Sequence, residues 1–494
     1  MKRTGLLLLA VLLALSRMLA ACGSTNDPGS ETTPSGNNSG DQTDSGDPDA
    51  TPDIPADYQI GGEFRVLSYN ANVSEFGEAD AETSDSVNEE LIGRDFWLEE
   101  RLDVYLTVDT SHNGQYADVN SYVELVEQSV FAGNASWDLI GTYSLTPPLL
   151  AQRGLLVDLQ DYSQFINTSK VWWPEFLVDA CTINNRTYFL SGDISSSLLY
   201  NMQVVVFDAD RAAANQLPET ELYRMVYDNE WTLERLFELA QNMSQDNGDG
   251  TWNTEDFYGI TMESANMLDS FYFATGLTTL NENEDGYLEI SADINGEAML
   301  DIYNMVYSSI NTYHSMTFQT GGNNPMADGK SVFGINTVYQ FRTALREEVD
   351  HLRVLPFPKY LAGDTTGYLT LVSNPHTQYC IPDDIDDAEH SAVFMEMMAY
   401  ASYDRVTPII FGEAMKLQYS QNEDVSNMFD IIRAGCTTDV GILYALSFDY
   451  GYEPLSMFRN AVQLNLTNLV SNFEQNYRPG MTEVTGELND FYHS

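Results

Sequence analysis

The sequence predicts an α/β protein, and three features carry that prediction. Strand-like and helix-like patterns alternate from residue 62 to residue 142, as expected of βαβ units around a largely parallel sheet. Beyond a polar N-terminal stretch about 435 residues remain, too many for one core and enough for two lobes or three small domains. With 43% hydrophobic and 12% aromatic residues, there is ample apolar material for those cores.

The elements follow in order. In "GGEFRVLSYN", Phe64 to Leu67 are strand formers. In "SVNEELIGRDFWLEERLDVYLTVDT", Leu91, Phe96, Trp97 and Leu102 recur at roughly helical spacing, and the pattern then switches to alternation in "VYLTV". That is a helix feeding a second strand. "SYVELVEQSVFAG" repeats the helical pattern with Gly133 as its stop, and "WDLIGT" is a short apolar strand.

The N-terminus reads as an export signal. Lys2 and Arg3 precede an apolar run from Leu6 to Leu15, too short to span a bilayer comfortably. The run ends at Leu19, Ala20, Ala21 and Cys22, which resembles the bacterial lipobox, whose cysteine is acylated after cleavage; Arg17 departs from the usual pattern. Acyl chains on Cys22, at about 0.8 kcal/mol per buried methylene, would hold the protein at the outer face of the cytoplasmic membrane. Residues 23–57 are Gly, Ser, Thr, Asn, Asp and Pro with almost no large apolar side chain, a composition expected to stay disordered as an acidic tether. Its reach as a flexible coil is roughly 30 Å.

Charge excludes one class of partner. With 74 acidic against 22 basic residues and a net charge of −52, nucleic-acid binding lacks the clustered cations it needs. After Cys22 only Cys181, Cys380 and Cys436 remain, so at most one internal disulfide can form, and no C-x-x-C pair exists to hold zinc. The six histidines, at 112, 314, 351, 376, 390 and 493, form no H-E-x-x-H pattern, and no G-x-S-x-G occurs. No catalytic constellation emerges, although paired carboxylates of the glycosidase type are neither ruled in nor out by so acidic a composition.

Two motifs come close to known sites. Gly329, Lys330 and Ser331 in "NNPMADGKSV" match the end of a P-loop, but Asn324 stands where its first glycine belongs and a strand follows where a helix is required; the stretch reads as a turn. "SQDNGDGTWNTEDF" resembles a calcium loop, with Asn247, Asp249, Thr251, Asn253 and Asp256 at ligand positions. Gln245 at its first position and the short final Asp leave two readings open, a weak structural calcium site or an Asx-rich turn. No other cofactor is expected.

A longer resemblance covers most of residues 60–494. Asp138 to Ile140 end a strand; "LAQRGLLVDL" from Leu150 to Leu159 follows; then come Trp172 with Trp173, Tyr188 with Phe189, and the segment "SSSLLYNMQVVVFD". Further on are "NEWTLERLFELAQNM", with Thr232 as N-cap, "MADGKSVFGINTVYQF", "LRVLPFPKY" and "FGEAMKLQYSQNEDVSNMFDIIRAGCTTDVG". This ordered set resembles the family 1 extracellular solute-binding proteins, the group that includes maltose-binding protein, and especially its lipoprotein members.

The resemblance implies a two-lobed, periplasmic-binding-protein-like fold of type II, each lobe a mostly parallel sheet flanked by helices, the lobes joined by hinge strands and closing on a ligand. The expected boundaries are 1–21 for the signal peptide, 22–57 for the lipidated tether, 58–195 plus 336–403 for the N-terminal lobe, and 196–335 plus 404–494 for the C-terminal lobe. The implied role is a monomeric substrate-binding component of an ABC importer that passes a carbohydrate to a membrane permease. A sugar needs aromatic faces and fixed polar groups. Loops after strands and the crossing segments would supply them from Tyr69, Asn70, Tyr143, Trp173, Ser197, Tyr200, Asn201, Asn336 and Tyr339. Trp231 is assigned to core packing. A peptide or polyamine ligand, or an exported carbohydrate-active enzyme, are the alternatives.

Overall fold

Nine strands of the computed structural model build its two main sheets: β1 (Gly62–Ser68), β2 (Val104–Asp109), β3 (Leu139–Tyr143), β4 (Gln203–Asp208), β5 (Tyr258–Met262), β6 (Met316–Phe318), β7 (Ser331–Thr337), β8 (Leu352–Leu355) and β9 (Thr377–Cys380). The structure describes residues 51–78, 86–318, 324–348, 350–412, 423–448 and 454–494, which all fall within one unit, Asp47–Ser494. The signal segment, Cys22 and most of the tether lie outside the described residues.

The first sheet has the order β9-β3-β1-β2. β1 runs parallel to both β2 and β3, with Gly62 opposite Val104 and Val66 opposite Leu139, while β9 is antiparallel to β3. The second sheet has the order β6-β5-β7-β4-β8. Here β5 pairs in parallel with β6 and β7, and β4 pairs antiparallel with β7 and β8. The second sheet is therefore evenly mixed where a mostly parallel one was expected, because β4 enters from the first sheet in the opposite direction to β7.

The local sequence reasons for these elements are visible. The helix Ser86–Leu102 buries Val87, Leu91, Arg94, Leu98 and Leu102, a complete 3.6-residue stripe. Phe96, expected on that face, is instead 63% exposed, since Arg94 takes the buried position and reaches the backbone carbonyl of Glu75 at 2.7 Å. The helix Val119–Ala132 ends at Gly133 in the left-handed conformation (φ 60°), as its sequence predicts. Thr232 caps the helix Leu233–Met243, its hydroxyl accepting the Arg235 N–H at 3.3 Å. Trp231 is fully buried and donates to the carbonyl of Pro356. The P-loop-like stretch is a turn leading into β7, with Gly329 at φ 70°.

The crossings differ from expectation in one respect. The first, near Ser195, opens with a short helix, Ser196–Tyr200, before β4. The resemblance implies a return at residue 336, but β7 continues to Thr337 and β8 still belongs to the second sheet, Val354 pairing with Val206 and Leu355 with Val205. The chain rejoins the first sheet only at Thr377. Residues 336–355 thus belong with the second sheet, because the apolar positions of "LRVL" complete its edge. The helix Glu423–Ala434 packs beside β8.

Candidate functional site

A cavity of about 590 Å³ lies where loops from both sheets converge. Tyr143 and Leu145 come from the end of β3, Asn201 and Gln203 from the first crossing, and Thr337 and Tyr339 from the end of β7. Ser373 and Asn374 precede β9, and Glu263, Asn266 and Asp269 follow β5. Arg459, on the helix Pro454–Gln463, closes one side. Its size and its mixture of aromatic, amide and charged groups suit a small organic ligand.

The polar groups are held by short contacts. Asn201 Nδ2 donates to the carbonyls of Ser197 (2.8 Å) and Pro375 (2.9 Å), which binds the outgoing and returning segments together. Gln203 donates to Ser373 Oγ at 2.6 Å and accepts from Ser270 Oγ. Arg459 Nη1 lies 3.4 Å from Asp269 Oδ2 and donates to Asn266 Oδ1. Burial pushes the Asp269 carboxyl up to about 7 against the pull of Arg459. Burial alone pushes Glu263 up to about 7.

Of the residues singled out in the sequence, Tyr143, Asn201 and Tyr339 line this cavity. The others serve elsewhere. Tyr69 and Asn70 line a second cavity of about 400 Å³ between the ends of β1 and β2 and the helix Ser86–Leu102; Tyr69 is buried, edge-on to Tyr143 at 6.4 Å. Trp173 is buried beside Trp172, its indole N–H donating to Glu396 at 2.8 Å, so it packs and does not line the cavity. Ser197 donates to Glu75 at 2.6 Å. Tyr200 is buried with Arg342 donating to its hydroxyl and stacked over its ring. Asn336 accepts from Asn324 Nδ2 at 2.6 Å inside the second lobe. For Trp173, Ser197, Tyr200 and Asn336 a partner within the fold has claimed the side chain, whereas Asn70 is exposed at the second cavity.

Glu263, Asp269, Gln203 and Arg459 were not anticipated. Glu263 and Asp269 sit in the loop after an apolar strand, "YGITMESANMLD", where the same reasoning that selected Tyr143 applies. Arg459 carries no local signal; only the packing of its helix against the Ala265–Asp269 turn brings it to the cavity.

The calcium-like loop is laced by Asx turns. Asp256 accepts the N–H groups of Asn247 and Asn253, and Asn247, Asp249 and Asn253 each accept from the residue two positions on. Among the described residues no three His, Cys, Asp or Glu side chains come together so as to hold a metal ion. Nor is any described helix long and apolar enough to cross a membrane.

No family model matches the sequence and no curated protein is similar to it. Solved structures are similar in fold. An ABC substrate-binding protein from Listeria monocytogenes in complex with cycloalternan aligns over 86% of this chain and 100% of its own, at 15% identity and a TM-score of 0.52. The galacto-N-biose/lacto-N-biose I-binding protein of an ABC transporter from Bifidobacterium longum aligns over 88% and 99%, at 11% identity and 0.55. UgpB from Mycobacterium tuberculosis in complex with glycerophosphocholine aligns over 84% and 98%, at 14% identity and 0.53. Each of the three aligns over almost the whole of its own length. The chain has the two-lobed α/β fold of ABC substrate-binding proteins.

Proposed function

We propose that this protein is the extracellular, lipid-anchored substrate-binding component of an ABC importer, a monomer that takes a carbohydrate of oligosaccharide size into the cleft and presents it to a membrane permease. The observation that carries this reading is the cavity of about 590 Å³ built from loops of both sheets and bearing Tyr143, Tyr339, Asn201 and Gln203. Tyrosine rings offer flat faces to the C–H faces of a sugar, and fixed amides offer hydrogen bonds to its hydroxyls. Two of the neighbours in fold are described as binding saccharides. Specificity comes from these contacts, and no bond of the ligand is made or broken.

The lobes are proposed to be residues 58–195 with the segment that rejoins at Thr377, and residues 196 to about 356 with the C-terminal helices. Capture needs no cofactor in this reading; the loop Asn247–Asp256 lies outside the cavity lining, and EDTA is expected to leave binding unchanged.

The test is a thermal-shift screen of the purified protein against mono- and oligosaccharides, with peptides and polyamines alongside. A ligand of the native state raises the midpoint by mass action. A shift confined to a saccharide series is expected. Silence from every saccharide with a shift from a peptide or polyamine overturns the carbohydrate assignment.

A further inference from the structure

The cavity has a charge problem that its own side chains do not solve. Among the described residues its walls carry three ionisable groups of fixed sign, the carboxyls of Glu263 and Asp269 and the guanidinium of Arg459. Arg459 is committed to Asp269 and Asn266. One cation offsets one carboxylate, and Glu263 is left over.

Glu263 stands at the exit of β5, partly buried, and has no hydrogen-bond or ion-pair partner among the described residues. Asp269 is 5% exposed, and its Oδ1 is buried without a hydrogen bond. Burying a carboxylate without a partner is costly. Two under-satisfied carboxylate groups facing one cavity are relieved by a ligand that brings donors, and most by one that brings a positive charge. An anionic ligand meets the opposite situation. The one guanidinium is engaged, Glu263 repels it, and the surrounding chain carries a net charge of −52.

We infer that the cleft takes a saccharide bearing a protonated amine, with the ammonium group seated on Glu263 and the sugar ring held against Tyr143 or Tyr339. This rests on the carbohydrate reading above and narrows it. Asp269 and Arg459 act together as a positioning pair at the edge of the subsite, and Asp269 Oδ1 accepts from the ammonium or a neighbouring hydroxyl.

The test compares disaccharides of gluco, galacto and manno configuration that carry at one position a free amine, an N-acetyl group or a hydroxyl, by calorimetric titration at pH 7.5. The free amines are expected to bind at least tenfold more tightly than their hydroxyl counterparts. In Glu263→Gln that ratio should collapse to within threefold, while the melting midpoint stays level or rises because a desolvated charge has been removed. Hydroxyl or N-acetyl sugars that bind as tightly as the amines overturn the inference and leave the carbohydrate reading intact. An amine preference that survives in Glu263→Gln also overturns it, since the ammonium must then sit elsewhere. If no saccharide binds and spermidine does, the carbohydrate reading fails and the inference falls with it.

Discussion

The carboxylate of Glu75 accepts a hydrogen bond from Thr377 Oγ1 at 2.6 Å, joining residues 302 positions apart. Around the same carboxylate Ser195 and Ser197 donate their hydroxyls, and Ser196 and Ser197 their N–H groups. A side chain from the loop after β1 thereby fastens both the segment that leaves the first sheet and the strand that returns to it. The contact buries Glu75 to 3% exposure and supports the floor of the site, because Ser197 also accepts from Asn201 through its carbonyl.

Glu75→Ala should therefore be among the more damaging substitutions. It leaves several buried donors without an acceptor, and the expected loss is about 3–5 kcal/mol. A lower denaturant midpoint with an unchanged m-value checks it. A loss below about 1 kcal/mol would show that the donors find other partners.

Of the cavity tyrosines, Tyr339 should act mainly on affinity, whereas Tyr143, 6% exposed and packed edge-on to Tyr69, should act on affinity and also lower the melting midpoint. Tyr143→Ala or Tyr339→Ala removes an aromatic contact worth about 1–1.5 kcal/mol, which is roughly tenfold in Kd. Trp173→Phe should behave in the opposite way, lowering the melting midpoint through loss of its bond to Glu396 while leaving Kd unchanged. Titration of each variant with the ligand found in the screen separates the two classes.

Two buried groups should give stability opposite dependences on pH. Burial lowers His376 to about 4, below the ordinary value near 6.5. Its contribution is therefore intact above pH 6.5 and is lost as pH falls toward 4. Burial raises Glu396 to about 7, above an ordinary value of about 4.3. Its contribution is intact below that value and is lost as pH rises through 7. Glu396→Gln, which keeps an acceptor for Trp173, should raise the melting midpoint at pH 8 and have little effect at pH 4.5. A midpoint gain that does not shrink on acidification would refute this account of Glu396.

Gly259 in β5 sits where the backbone of the helix Leu233–Met243 comes closest. A Cβ there would lie 2.2 Å from the carbonyl oxygen of Ala240. Gly259→Ala should force strand and helix apart at a cost of about 1–3 kcal/mol. Since Glu263 leaves the same strand four residues on, ligand affinity should fall as well, and both can be read from one melting series with and without ligand.

The sequence disclosed the elements more readily than the site. Strand β1, the helix ending at Gly133, the Thr232 cap and the buried Trp231 follow from local pattern, because each depends on neighbours within a few positions. The mixed second sheet does not, since the direction of β4 depends on where the first crossing leaves it. Residues of the cavity lining were legible where a loop follows a strand, as at Tyr143, and where a crossing faces the cavity, as at Asn201. Ser197, Tyr200 and Asn336 have the right chemistry in the right segments, but their orientation is decided by Glu75, Arg342 and Asn324, partners that no local pattern reveals. Arg459 reaches the cavity only through tertiary packing.

The late return of the chain at β9 has a consequence for how the molecule is born. β3 lacks its outer neighbour until Thr377–Cys380 pair with it, so a nascent chain emerging from its amino end carries an open sheet edge, with unpaired N–H and C=O groups, while the whole second sheet is still being delivered. The first sheet cannot be completed as it appears; it must wait for a strand that arrives after all five strands of the second sheet. Until then that edge is exposed to other chains, so the hazard of mispairing belongs to emergence and not to the finished molecule.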